Sequence, residues 1–150
     1  MRFLMLTLIA VMYGCILSSR AEAASSGLDL SLTFMLKSRH HYEPSGGKRF
    51  NESHNGVGLT WSMDQTYNHT VMHYRNSLNR NSWAYSVQRD VWCSDINICL
   101  GWSVSAATNY SERNPFGIAL MPAITLNWGY FRSMHLPGVV SAYGLEVPLQ

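Results

Sequence analysis

Apolar and polar side chains alternate with a period of two along most of the chain. The first run places five apolar residues between Leu28 and Leu36 at every second position, alternating with Asp29, Ser31, Thr33 and their successors up to Lys37. Because neighbouring side chains of a β-strand point to opposite faces, this alternation predicts a strand. No segment shows a convincing helical pattern. The predicted strands are Leu28–Lys37, Val57–Met63, His69–Ser77, Trp83–Val91, Ile98–Ala106, about Gly117–Leu126, Tyr130–Leu136 and Ala142–Leu149.

An even number of strands, each about ten residues long and separated by turn-forming residues, is typical of a transmembrane β-barrel. The 5 Trp and 8 Tyr could supply the aromatic girdles that such barrels place at the membrane interfaces. A soluble secreted β-sandwich that binds a ligand shows similar alternation and stays open as an alternative. We predict an all-β fold, an eight-stranded antiparallel up-and-down transmembrane β-barrel.

The first 23 residues have the three-part pattern of a secretory signal peptide. Arg2 gives a positive start, residues 3–16 are almost wholly apolar, and Ala21-Glu22-Ala23 forms a small-x-small cleavage pattern. We therefore assign residues 1–23 to a signal peptide and residues 24–150 to a barrel domain in the bacterial outer membrane. A lipoprotein signal ending at Cys15 is the alternative, although Tyr13 stands where a small residue is usual. No apolar run after residue 20 is long enough for a transmembrane helix.

The composition narrows the class of protein. Apolar residues make up 47% and charged residues 13% of the chain, which disfavours disorder and coiled coils. A formal net charge of +2 is too small for a typical nucleic-acid binder. Loss of the signal peptide would leave Cys93 and Cys99, and an even pair in an exported protein predicts a disulfide. Two free buried thiols are the alternative.

Basic residues concentrate at one predicted end of the barrel. If strand one starts in the periplasm, the connections Ser38–Asn55, Leu78–Asn81 and Thr108–Pro115 and the Pro137-Gly138 turn face outward. A basic rim there suits the phosphates of lipid A, with ordinary solvated loop charge as the alternative. The predicted substrate-binding residues on this rim are Lys48, Arg49, Arg75 and Arg80.

Residues with catalytic potential fall at the same rim. His40 and His41 end strand one, and Asn76-Ser77 ends strand three. A serine needs a neighbouring base to become a nucleophile, so Ser77 with His40 or His41 is a candidate pair, and Asn76 could orient the imidazole. Side-chain alternation favours His41 on the inward face, with His40 outward unless the strand bulges. Ordinary turn chemistry is the alternative for Asn76-Ser77.

A metal site is not expected. His69 and His73 are four residues apart, and on a strand that spacing separates them by about 13 Å, too far to share an ion. We expect no metal and no other cofactor.

Several short segments resemble, in order and spacing, those of the lipid A palmitoyltransferase (PagP) family. The similarity runs loosely from about residue 36 to residue 138. The segments are Phe50-Asn51-Glu52, Gly56-Val57-Gly58-Leu59, Tyr74-Arg75-Asn76-Ser77, Phe116–Trp128 and Phe131–Gly138.

The resemblance implies an outer-membrane barrel that transfers a palmitoyl chain from a phospholipid to lipid A. The family's serine matches Ser77, its aspartate falls on Asn76, and its histidine falls near His40 or His41. Pro122 and Pro137 stand where the family's prolines are thought to open the barrel wall to lipid, as a lateral gate. Phospholipid, lipid A and the barrel-assembly machinery are the implied partners, and we expect a monomer that binds no nucleic acid.

The chain also departs from that family. An asparagine cannot supply the negative charge of the family's aspartate, although it can orient a histidine. The family's amphipathic N-terminal helix is missing, and the sequence ends in Leu149-Gln150 rather than in an aromatic residue. A non-catalytic barrel with an envelope-structural or surface-interaction role, and a lipid A deacylase, therefore stay open as alternatives.

Overall fold

The computed structural model describes residues 29–42, 49–62, 66–110 and 118–149. Within these residues, eight antiparallel strands follow one another around a closed barrel, and β1 pairs with β8 to complete it. The predicted eight-stranded up-and-down barrel is thereby confirmed. The predicted signal peptide lies outside the described residues. The strands are β1 Asp29–His40, β2 Ser53–Ser62, β3 Asn68–Arg75, β4 Asn81–Cys93, β5 Ile98–Ala107, β6 Ala119–Trp128, β7 Phe131–Leu136 and β8 Val140–Pro148.

The strand connections define two rims. The long-loop rim contains the connections β1–β2, β3–β4, β5–β6 and β7–β8, and the short-turn rim contains the other three connections and both ends of the barrel segment. Among the described residues, no helix is long and apolar enough to cross a membrane.

The two faces of the barrel wall differ in polarity. On β5, Ser103 and Ser105 are buried in the lumen, whereas Leu100 and Val104 are exposed on the outside. The same alternation holds on β2 and β6, where threonine, serine, alanine and asparagine face inward and large apolar residues face outward. Hydroxyl pairs such as Ser86 with Ser105, 2.7 Å apart, link neighbouring strands inside. Along these strands the middle of the lumen is therefore lined largely by small and polar side chains, and the outer surface is apolar.

A bulge in β1 changes which side chains enter the lumen. The register with both β2 and β8 shifts between Met35 and Lys37. Before the shift Met35 lines the lumen, and after it Ser38 and His40 do, while Lys37 is exposed. The prediction from simple alternation that His41 faces inward is therefore wrong, because one extra residue in a strand moves every later side chain to the other face.

The barrel wall is incompletely paired at the long-loop rim. The β5–β6 ladder reaches Ala119, but the β6–β7 ladder stops at the pair Ile124 and His135. Residues 119–123 of β6 consequently have no partner in the β7 register. Pro122 lies in this stretch, where its missing N–H removes no bond to β7.

The predicted disulfide is present. Cys93 and Cys99 are joined across the β4–β5 connection, with their Cα atoms 4.1 Å apart. The enclosed turn places Asn97 at a φ of 58°, a left-handed conformation that asparagine tolerates better than most residues. The bond thus holds together two strands that also pair directly at these cysteines.

We expect the double substitution Cys93→Ser, Cys99→Ser to lower the free energy of unfolding by about 2 kcal/mol, because a short loop is no longer closed in the unfolded chain. Urea unfolding in detergent micelles, followed by tryptophan fluorescence, measures this change. Reduction of the wild-type protein should produce the same loss. Equal stability of the double variant and the oxidised wild type would contradict the expectation.

Candidate functional site

A cavity of about 360 Å³ lies inside the long-loop rim. Most of its wall is apolar, and a small set of hydroxyl and imidazole groups interrupts it. The apolar side chains are Met35, Phe50, Leu78, Ala119, Met121, Met134, Leu136, Val139, Val140 and Ala142, and the polar or amphipathic ones are Ser38, His40, Tyr42, His54, Tyr74, Ser77 and Tyr110. An apolar pocket with a few convergent polar groups is the usual form of a small-molecule site.

A smaller chamber of about 110 Å³ continues from this cavity toward the middle of the lumen. Met35, Met121 and Met134 line both spaces. Methionine side chains are flexible and fill irregular spaces, so they form an adaptable wall between the two.

Charged and amide groups occupy the other end of the lumen. Arg132 Nε lies 3.1 Å from Glu146 Oε2, and both side chains line the smaller chamber. Nearby, Asp90 accepts hydrogen bonds from Gln88 and Asn127 at 3.1 and 2.9 Å. The lumen is thus mostly apolar toward the long-loop rim and ionic toward the short-turn rim, which fits a ligand that enters with an apolar chain from the long-loop side.

Ser38 and His54 form a hydrogen-bonded pair in the cavity wall. The Ser38 Oγ atom lies 2.7 Å from His54 Nε2, and His54 Nδ1 lies 2.6 Å from the carbonyl oxygen of Arg75. A carbonyl can only accept, so Nδ1 carries the proton and Nε2 of the neutral ring accepts the Ser38 hydroxyl proton. His54 is only 2% exposed and Ser38 only 5% exposed. Neither residue is among the catalytic candidates predicted from the sequence, which are His40, His41, Asn76 and Ser77.

The bond from His54 to Arg75 also explains why the ring is fixed. The β2–β3 ladder stops at the pair Val57 and His73, so the Arg75 carbonyl lies beyond it. Asn55 has a φ of 44°, which interrupts the regular extension of β2 next to His54. The imidazole therefore replaces a missing ladder bond.

Ser77 lies in the wall of the same cavity, but its hydroxyl forms a hydrogen bond with the Tyr110 hydroxyl. Tyr74 donates a second hydrogen bond to Tyr110 at 2.9 Å. Burial raises the pKa of the Tyr110 phenol above its ordinary value, so this group stays protonated at neutral pH. Tyr110 is consequently no base for Ser77.

His40 faces the cavity as well. Its ring stacks on Phe50 with centroids 4.0 Å apart, and its Nδ1 atom lies 3.9 Å from a Glu52 carboxylate oxygen. The side chain is 7% exposed, and Nδ1 has no hydrogen-bond partner among the described residues. The structure thus brings His40 and Ser77 to one cavity.

His41 belongs to a different cluster, on the outer face of the wall. Ser133 donates to the Leu126 carbonyl, so His135 must donate to Ser133 through Nε2 and accept from Ser141 at Nδ1. His41 Nε2 then donates to Ser141 Oγ at 2.8 Å. Ala142 and Met134, their chain neighbours, line the cavity, which places Ser141 and His135 on the opposite face.

Asn76 holds the β3–β4 turn and leaves no amide hydrogen for a histidine. The residue is fully buried, and its Nδ2 donates to Ser82 Oγ and to the Asn109 carbonyl at 2.8 and 2.9 Å. Its Oδ1 accepts the backbone N–H groups of Leu78 and Arg80. The turn-forming alternative therefore describes Asn76 better than the imidazole-orienting role.

Of the predicted substrate-binding and gate residues, those within the described part of the chain lie on the long-loop side. Arg49 and Arg75 are exposed, Arg80 is half-buried and makes other contacts, and Lys48 lies outside the described residues. Pro122 is half-buried in the unpaired part of β6, and Pro137 is exposed in the β7–β8 turn.

Comparison with models of known protein families gives no match, and no curated protein matches the chain. The resemblance to lipid A palmitoyltransferases therefore stays a prediction from the segments of sequence that carry it.

We expect Asn76→Asp to destabilise the protein by about 3 kcal/mol, even though it introduces the residue found in the resembled family. The buried carboxylate would lose two donors and face the Asn109 carbonyl and the Ser82 oxygen, both acceptors. Urea unfolding in micelles measures the loss. Asn79→Asp, in the same turn but exposed, is the matched control for the added charge. Wild-type stability of Asn76→Asp would refute the structural role.

Proposed function

We propose that this protein is an outer-membrane barrel that draws one acyl chain of a membrane lipid into the long-loop cavity and transfers it to lipid A. The observation that carries this proposal is an apolar cavity that contains a buried, hydrogen-bonded serine–histidine pair. Such a pair provides a nucleophile and a general base, the two groups needed for attack on an ester.

The polarity of the wall supports a membrane location. A large band of apolar side chains on the outside would be costly in water but is required against lipid tails. These exposed residues include Val57, Leu59, Val71, Tyr85, Leu100, Val104, Ile124, Leu126, Leu145 and Val147. Exposed aromatic residues lie near both rims, with Trp83 at one and Trp92, Trp128 and Tyr130 at the other, as interfacial girdles require.

The cavity suits a lipid chain better than a polar ligand. The wall of the cavity is mainly methionine, leucine, valine and alanine. Its inner extension adds serine and threonine hydroxyls between methionines and ends near the Arg132–Glu146 ion pair. An alkyl chain gains free energy on burial against apolar side chains. It gains nothing by displacing an ion pair, so the pair would mark the depth limit.

The gap between β6 and β7 supports entry from the membrane. Ala119 and Met121 on one side, and Met134 and Leu136 on the other, line the cavity next to the unpaired stretch of β6. A chain already in the lipid phase could pass between these strands without crossing water. Pro122 keeps that edge of β6 from acquiring a ladder bond at its own position.

The charges on the long-loop rim support an anionic acceptor. Within the described residues, Lys37, Arg39, Arg49 and Arg75 are exposed on that side of the barrel, with Glu52 as an acidic neighbour. Arginine binds phosphate oxygens strongly, and lipid A presents phosphates at the membrane surface.

The test is mass spectrometry of lipid A from a Gram-negative host that expresses the chain, beside the same host without it. We expect a fraction of lipid A to gain the mass of one palmitoyl group. Loss of one acyl chain would instead indicate a deacylase, in which water is the acceptor. Unchanged lipid A, with the protein folded in the outer membrane by heat-dependent gel mobility, would contradict the proposal and favour the non-catalytic barrel.

A second expectation concerns the length of the transferred chain. Ala84 lines the inner chamber, so Ala84→Leu should fill part of it and lower palmitoyl transfer about tenfold while shorter chains are retained. Competition between donor phospholipids with different chains measures the preference. Ala106→Leu is the matched control, because Ala106 pairs with the outward-facing Tyr85 and Leu120. Equal preferences in both variants would contradict chain binding in the chamber.

A further inference from the structure

We propose that Ser38 is the nucleophile and His54 the general base of this acyl transfer, with the ester of a phospholipid acyl chain as substrate. This inference rests on the proposed function but not on the residues that the family resemblance selects, which are Ser77 and His40 or His41.

Three serines near the long-loop rim are candidates, and their partners distinguish them. Ser77 forms a hydrogen bond with Tyr110, whose buried phenol stays protonated at neutral pH and cannot act as a base. Ser141 forms hydrogen bonds with the imidazoles of His41 and His135, but this cluster lies on the outer face of the wall. Ser38 alone among these three combines an imidazole acceptor with a place in the apolar cavity.

The orientation of the pair is fixed by the fold. The Arg75 carbonyl accepts the Nδ1 proton of His54 and so selects the tautomer in which Nε2 is free to take the Ser38 proton. In serine–histidine enzymes a third group holds the base in this way, and here a backbone carbonyl does so. Because this group is a neutral carbonyl rather than a carboxylate, it stabilises the imidazolium less, and Glu52 is a carboxylate that interacts with His54 electrostatically. We therefore expect a slow enzyme.

The cavity supplies the remaining requirements of the reaction. An acyl chain that extends past Met121 and Met134 toward the inner chamber would leave its ester at the long-loop side, where Ser38 and His54 line the cavity. His40 lies in the same wall and interacts electrostatically with His54, and its Nδ1 atom lies on the side of Glu52. Exclusion of water there would favour transfer to another lipid over hydrolysis.

The reaction has two steps, acylation of Ser38 and transfer of the acyl group to the acceptor lipid. Ser38 Oγ bonds to the ester carbonyl carbon while its proton moves to His54 Nε2, and the ester C–O bond then breaks as that proton passes to the departing lysophospholipid oxygen. A hydroxyl group of the acceptor lipid next attacks the acyl-Ser38 ester and gives its proton to His54. The Ser38–acyl bond breaks, and Ser38 recovers the proton from His54.

The first test is covalent labelling of the folded, purified chain in detergent micelles with a long-chain alkyl fluorophosphonate. The serine oxygen bonds to phosphorus and fluoride leaves, so the mass of the labelled peptide identifies the reactive serine. We expect a label on Ser38, loss of that label in Ser38→Ala, and full labelling in Ser141→Ala. A label on Ser77, or none on the folded wild type, would overturn the assignment.

The second test separates this assignment from the function itself. Mixed micelles of dipalmitoyl phosphatidylcholine and lipid A report palmitoyl transfer by the wild type, and we expect a loss of about 1,000-fold or more in Ser38→Ala. His54→Gln should lose a similar factor, and heat-dependent gel mobility shows whether each variant folds. Transfer that survives in Ser38→Ala would overturn the assignment and leave the function intact. No transfer by the folded wild type would overturn both.

Discussion

Closure of β1 against β8 is the constraint on which the rest of the structure depends. A closed eight-stranded barrel pairs its strands without a free edge, and its lumen is only wide enough for side chains. Space for a ligand can arise only where the inward residues are small or the wall is incomplete. Gly144 shows how tight the closing seam is, because a Cβ there would lie 2.3 Å from the Phe34 carbonyl oxygen. The second condition holds at the long-loop rim, where the ladder between β6 and β7 stops short and the larger cavity lies.

Alternation of side chains was sufficient to predict the strands, their number and the closed antiparallel order, because successive side chains of each strand point alternately into the lumen and to the exterior. It was insufficient for the site. The bulge between Met35 and Lys37 leaves no mark in the apolar pattern, since it arises from pairing with two neighbours at once. The faces expected for His40 and His41 in the absence of a bulge were inverted, so His41 was favoured over His40 and Ser38 was not considered. Two sequence signals for the Ser38–His54 pair existed, namely His54 beside Asn55-Gly56 and a serine two residues before His40, but neither identifies a base without the register.

Asn76 shows why a matching motif position does not transfer a role. Its four side-chain hydrogen bonds all serve the turn between β3 and β4 and the neighbouring chain at Ser82 and Asn109. An aspartate at that position would need a different set of donors around it. The donors and acceptors that surround position 76, rather than the identity of that residue alone, decide whether a carboxylate is tolerated there and can interact with a histidine. A segment can therefore resemble a family's motif while one of its residues serves the fold of the turn instead.

The lumen changes from apolar at the long-loop rim to ionic at the short-turn rim, and this difference sets the orientation of the proposed acyl chain. In the proposed function, an alkyl chain would be stabilised at the methionine-lined end and excluded from the end where Arg132 pairs with Glu146. Its reactive ester must then remain at the long-loop side, where the gap in the wall and the basic rim also lie. Ser38 and His54 occupy that side because the bulge in β1 and the early end of the β2–β3 ladder both fall there. Irregularities that weaken strand pairing are thus the same features that place a hydroxyl, a base and an entrance within one cavity.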